Sequence, residues 1–193
     1  MRNAVIAGER VYLRPVEVSD AEDWARGIAA EPDTFHKRGR VPRSPIGLAH
    51  WIEELYTSRL SPEIFFAVCL IEDDRFIGVV GVDGIDWINR TGETGSELSD
   101  ATFRGQGYGT EAKFLLLEYF FDRLHFHALC SYVFEPNKRS AAALAKQGYK
   151  PAGRWKWDDL KGGVFRDMLV FDINRDEYLA AKAAWRATRA QPN

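Results

Sequence analysis

The chain has 193 residues, enough for one domain with a core of ordinary size. Hydrophobic residues make up 46% and charged residues 28%, which excludes a disordered chain. The formal net charge of −2 gives no reason to expect a nucleic-acid backbone as the main partner. No apolar run approaches the roughly 18 residues needed to span a bilayer, so no membrane partner is expected either.

The opening "MRNAVIAGERVYLRP" lacks a signal-peptide core and cleavage site, which makes the cytoplasm the expected compartment. Within it "RVYLRPV" reads as a first strand. "SDAEDWARGIAAE" follows as a helix, with Ser19 and Glu22 at capping-box spacing. "RSPIGLAHWIEELYTSRL" opens a second helix, with Ser44 as N-cap and Pro45 at the first helical position. Between the helices, Lys37, Arg38, Arg40 and Arg43 belong either to a solvated loop or to the rim of a ligand entrance. "IFFAVCLI" and "FIGVVGVDGI", joined by "EDDR", form a hairpin. "GETGSELSD" is a short polar strand whose glycine marks a candidate bulge.

A glycine-rich turn then leads into a long helix reaching about Leu124. "ALCSYVF" is a buried strand, and "NKRSAAALAKQG" a helix closed by Gly148. "GRWKWDD" and "VFRDMLVFDI" are a last strand pair around "LKGG", giving about seven strands. The tail from about 174 to 190 is an appended surface helix of mixed charge. Cys69 and Cys130 lie in apolar strands and read as buried thiols. The pattern is that of one α/β (α+β) domain over 1–193, its core at about 10–173.

The glycine turn carries the chemistry. In "ATFRGQGYGTEA", Gly105, Gly107 and Gly109 come just where a helix starts, although glycine inside a helix costs about 1 kcal/mol against alanine. The first N–H groups of a helix have no intrahelical partners and sit at its positive end. Glycines before them let a phosphate reach the backbone with no Cβ in the way. The dinucleotide fingerprint would need glycine where Thr110 stands, and the P-loop pattern lacks its Gly-Lys-Ser/Thr.

Arg104-Gly105-Gln106-Gly107-Tyr108-Gly109 instead matches R/Q-x-x-G-x-G/A, and so resembles the acyl-CoA pyrophosphate loop of the GNAT superfamily of N-acetyltransferases. "ETGSELSDATFRGQGYGTEA" resembles that family's fourth strand, loop and third helix. "YVFEPNKRSAAALAKQGYKPAG" resembles its fifth strand and the helix after it, with Asn137-x-x-Ser140 and Gly148-Tyr149 in the usual places. "VYLRPVEVSDAEDWARGIAAEPDTF" is similar to the opening of the RimJ/RimL-like branch, the ribosomal-protein N-terminal acetyltransferases.

The resemblance implies a mixed, mostly antiparallel sheet flanked by helices, with the fourth and fifth strands splayed to admit acyl-CoA. It implies acetyl transfer from acetyl-CoA to a primary amine, with no metal. Its cofactor contacts would come from Leu98 and Ser99, from Arg104, Gly105, Gln106, Gly107, Tyr108, Gly109 and Thr110, and from Asn137. The backbone N–H of Leu98 or its neighbour would hold the oxyanion. Counted back from the glycine loop, Glu93 falls where this branch carries a strand-four glutamate and is the candidate base. Glu97 competes, because 93, 95 and 97 share a strand face if no bulge intervenes. Many members carry a tyrosine where this chain has Leu144, so Ser140 becomes the candidate for the leaving thiolate.

An amine acceptor is the implied partner, its identity open, and a homodimer is compatible with the family. The competing reading is a non-catalytic acyl-CoA sensor or scaffold. His125 and His127 lack further residues at ligand spacing. Trp155 and Trp157 share a strand face and either cover the sheet, line an acceptor pocket or meet a partner copy.

Overall fold

Long runs of β-branched and aromatic residues, "IFFAVCL" and "FIGVVGV", suit strands buried on both faces. They form β3 (Ile64–Leu70) and β4 (Phe76–Asp86) in the computed structural model, which describes residues 1–30 and 43–190. Around them lie β1 (Ile6–Ala7), β2 (Val11–Pro15), β5 (Thr91–Leu98), β6 (Ala128–Phe134), β7 (Lys150–Lys161) and β8 (Val164–Asn174). The result is an eight-stranded sheet ordered β1-β2-β3-β4-β5-β6-β8-β7, antiparallel throughout except between β5 and β6.

Alternate side chains supply the two faces. Tyr12, Ala67, Cys69 and Val79 pack under α1 (Ala21–Ala30) and α2 (Pro45–Leu55). Leu13, Val68, Val80, Val82, Leu129 and Val133 pack with Phe114, Leu144 and Tyr178 of α3 (Tyr108–Glu118), α4 (Lys138–Lys146) and α5 (Arg175–Ala190). One π-helical turn, Tyr119–Arg123, extends α3. Ser44 caps α2 as its position suggests, its hydroxyl accepting from the Gly47 N–H at 3.0 Å.

Four readings need correction. The sheet has an eighth strand, β1, too short to show a period in the sequence. At the start of the first helix Asp20, rather than the Ser19–Glu22 pair, reaches back to the Glu17 N–H (2.8 Å), and its carboxylate also takes the buried Arg14 guanidinium at 2.6 and 2.8 Å. No glycine of β5 marks a bulge: register runs unbroken from Gly78↔Leu98 to Asp83↔Glu93, and the irregularity lies in β4 between Asp83 and Asp86. The tail helix does not merely lie on the surface, because Tyr178 is buried against Phe121 and Trp185 packs on Phe114, at ring distances of 5.6 and 5.2 Å.

Trp155 packs at a tilt against Tyr132, with ring centres 4.8 Å apart. The register slips between Trp155 and Asp159, and Trp157 takes a positive φ of 53° with 74% of its surface exposed, so the alternation that would align the two indoles breaks here. Cys69 is buried, Cys130 half-buried, and both are free. Lys37, Arg38 and Arg40 lie outside the described residues.

Candidate active site

β5 and β6 touch over only three residue pairs, Thr91↔Ala128, Gly92↔Leu129 and Glu93↔Cys130. Beyond that vertex they part. Side chains satisfy the backbone groups that strand pairing would otherwise serve. The Ser131 hydroxyl donates to the Thr94 carbonyl at 2.9 Å, and the Thr94 hydroxyl donates to the Cys130 carbonyl at 3.2 Å. Tyr149, from the segment after α4, places its hydroxyl 2.7 Å from Thr94 Oγ1. Burial raises the pKa of that phenol, so it stays protonated.

The pairing with β4 fixes which β5 groups look into the gap. The Ser99 N–H donates to the Ile77 carbonyl at 2.9 Å, which makes Gly78↔Leu98 a non-hydrogen-bonded pair. Leu98, and by alternation Ser96 and Thr94, therefore turn N–H and C=O away from β4, toward the gap. Ser99 spends its N–H on β4, so of the two neighbours Leu98 is the one with a donor facing the gap. Arg104 Nη2 donates to the Leu98 carbonyl at 3.0 Å.

The glycine turn stands at the open end of this gap. Gly105 and Gly107 have φ of 73° and 87°, the left-handed region that glycine enters freely. Gly107 is the N-cap of α3. A Cβ at Gly105 would meet nothing within 4 Å, whereas one at Gly107 would stand 3.1 Å from Arg10 Nη2. Arg10, which no sequence motif singles out, clasps the turn. Its Nη1 donates to the Gln106 carbonyl at 3.0 Å, its Nε to Glu111 Oε2 at 3.2 Å, and its guanidinium covers the Tyr108 ring at 4.4 Å. Gln106 Nε2 donates to the Thr102 carbonyl, and Thr110 sits in the first turn of α3.

Glu111 is the second missed residue. Buried to 2%, it accepts from the backbone N–H groups of Glu9, Arg10 and Val11 at 2.7, 2.8 and 3.3 Å, tying the start of α3 to the β1–β2 turn. Its signal was an acidic residue in the first helical turn. Glu111→Ala strands those donors, and chemical denaturation should show a loss of about 3 kcal/mol.

Glu93 and Glu97 share the face of β5 that looks toward α1 and α2, since their partners in β4 are Asp83 and Val79, and Val79 lies in the α1–α2 core. Cys130 and Tyr132 of β6 stand on the same face. Across the gap Asn137 is the N-cap of α4, its Oδ1 accepting from the Ser140 N–H at 3.1 Å, so capping occupies that oxygen. Ser140 is half-buried in the first turn, and Leu144 is in the core. These residues fit an acyl-CoA. The α3 N-terminus faces a turn with glycine at 105 and 107, Arg10 Nη2 is buried beside it with no partner among the described residues, and a backbone-lined gap leads inward.

Comparison with known proteins agrees with this geometry. The model of the Acetyltransferase (GNAT) domain matches residues 10–150. A probable N-acetyltransferase of Bacillus subtilis (strain 168), YjcK, is 30% identical over 176 residues, covering 88% of this chain and 96% of that protein. Mycobacterium smegmatis RimJ in complex with CoA-disulfide is similar in fold, with a TM-score of 0.79 at 24% identity, covering 93% of this chain and 90% of that one. A chimera of the Vibrio cholerae spermidine N-acetyltransferase SpeG and hSSAT has a TM-score of 0.78 at 19% identity, covering 89% and 99%. The chain belongs to the GNAT acetyltransferases, enzymes that carry an acetyl group from acetyl-CoA to an amine.

Proposed function

We propose that the chain acetylates a primary alkylamine by direct attack on the thioester, without an acyl-enzyme. The observation that supports this most is the splayed β5–β6 pair with the glycine turn at its open end, because it offers one continuous path from a phosphate site to Glu93. Bound acetyl-CoA supplies the activated acetyl group. The turn at Gly105–Gly109 and the α3 N-terminus hold the pyrophosphate, while Leu98 offers its N–H to the developing oxyanion.

An alkylamine has a pKa near 10.4 and arrives protonated, so a base must act before attack. Glu93 takes that proton on the α1–α2 face, with Glu97 the next carboxylate along the same strand. Ser140 donates a hydrogen bond to the leaving sulfur. Asp83, opposite Glu93 in register, and Glu97 make this face suited to a cationic acceptor.

The test is calorimetric titration with acetyl-CoA, followed by an amine panel read by free-thiol release. Selective binding with release on an alkylamine supports the reading, and binding without release on any amine would favour a sensor. Gly107→Val should weaken acetyl-CoA binding about tenfold or more in the same titration. A β-branched residue at φ 87° strains the turn, and its Cβ displaces Arg10.

A further inference from the structure

Lys113 projects from α3 against the sheet at Gly95, two residues from the vertex where β5 meets β6, and is 1% exposed. Its Nζ donates to the Gly95 carbonyl at 3.4 Å and stands 6.0 Å from the centre of the Tyr149 ring. Among the described residues it has no carboxylate within ion-pair distance, and Gly95 is its one hydrogen-bond acceptor. Buried ammonium groups are ordinarily paired, because leaving one unpaired is strongly unfavourable. Replacing it with leucine or methionine would fill the same space without that cost. The position therefore calls for a use of the charge.

The location suggests the use. The glycine turn lies beyond Leu98 at the open end of the gap, and the gap closes at Glu93–Cys130. A pantetheine arm anchored at the turn thus runs its thioester end toward the vertex. Lys113 lies on the α3 side of that end, and Glu93 on the α1–α2 side. Leu144 is apolar and buried in the core, so α4 brings no acid from that position.

We propose that Lys113 is the cation that stabilises the departing thiolate, acting from beneath the gap while Glu93 serves the amine from above. This rests on the acetyl-transfer reading. Glu93 first passes the ammonium's proton on to solvent; then, as the C–N bond forms and the C–S bond breaks, the C–S electron pair goes to sulfur and the attacking nitrogen's second proton goes to Glu93. The negative charge then lies on sulfur, opposite the Lys113 ammonium, and the proton on Glu93 later passes to solvent. The titratable groups that bear on Lys113 are Glu93, whose charge reaches it from the other face of β5, and Tyr149, whose ring centre is 6.0 Å away. Burial disfavours the ammonium and Glu93 favours it, and the thiolate formed on sulfur adds the second negative charge that keeps Lys113 protonated.

The test reads the thiol itself. CoA is bound to the protein and its thiolate absorbance in the ultraviolet is followed against pH, with desulfo-CoA as the blank. In wild type the bound thiol should ionise at least one pH unit below free CoA, a tenfold rise in thiolate fraction on the alkaline side of neutrality. Lys113→Met and Lys113→Gln should both return it to the free value, and Lys113→Arg should keep most of the shift. An unshifted thiol in wild type, or recovery by Lys113→Gln, which keeps a donor for Gly95 without the charge, would overturn the proposal. Failure of folded wild type to bind CoA at all would overturn the acetyl-transfer reading and this proposal with it. Binding with an unshifted thiol overturns the Lys113 role alone.

Discussion

Glu93→Gln lowers turnover about 10²- to 10⁴-fold, the range for losing a positioned general base, with little change in the KM for acetyl-CoA. The isosteric amide keeps the strand and its neighbours, and the proposed cofactor contacts lie elsewhere, at Leu98 and at the glycine turn beyond the end of β5. Steady-state kinetics with the best amine of the panel check the split. The remaining rate should climb with pH as the acceptor deprotonates unaided. A variant with wild-type turnover near neutral pH would move the base to Glu97, which shares the strand face.

The second large effect is a pH dependence of stability that Lys113 creates. Burial pushes its pKa down from 10.5 to about 7. Between those values, in the cofactor-free protein, the unfolded chain holds a proton that the folded chain has shed. Stability must therefore rise with pH in that window, by up to about 1.4 kcal/mol per unit from this group. Below about pH 7 the folded state carries the buried ammonium and bears its full penalty. Lys113→Met removes the group from both states. The variant should be more stable than wild type by a few kcal/mol at pH 6.5, with the gap narrowing steadily toward pH 9.5. Urea denaturation of both proteins at several pH values measures the gap. A gap that does not change with pH would mean that the folded protein holds the Lys113 proton as firmly as the unfolded chain does. A more stable, less active variant would place Lys113 among residues retained for function against stability.

Much of the candidate site is legible in the sequence. A glycine-rich turn before an apolar helix encodes backbone geometry directly, so Gly105 and Gly107 stood out at once. The family blocks carried the splayed strands, which no periodicity could have shown. What escaped were contacts made across long sequence separations. Arg10 and Glu111 are about a hundred residues apart, and only the fold brings the β1–β2 turn to the start of α3. Asp20 took over the capping role because Arg14 from the neighbouring strand pairs with it, a tertiary effect that local spacing does not contain. Lys113 did leave a trace. Its neighbours at three and four positions onward are Leu116 and Leu117, which places a lysine on the buried side of its helix. The slip after Trp155 left none, since a bulge inside a hairpin depends on how two strands settle together.

The parting of β5 from β6 also divides the peptide groups of one strand by how fast they trade their protons with solvent. The N–H groups of Gly95, Glu97 and Ser99 are held by β4 and should exchange slowly, while those of Ser96 and Leu98 open toward the gap and should exchange fast. The protein thus carries, on a single short stretch, an internal standard and a reporter side by side. A ligand that lies along the gap as an added strand slows the even-numbered sites and leaves the odd ones as they were, whichever amine it goes on to meet.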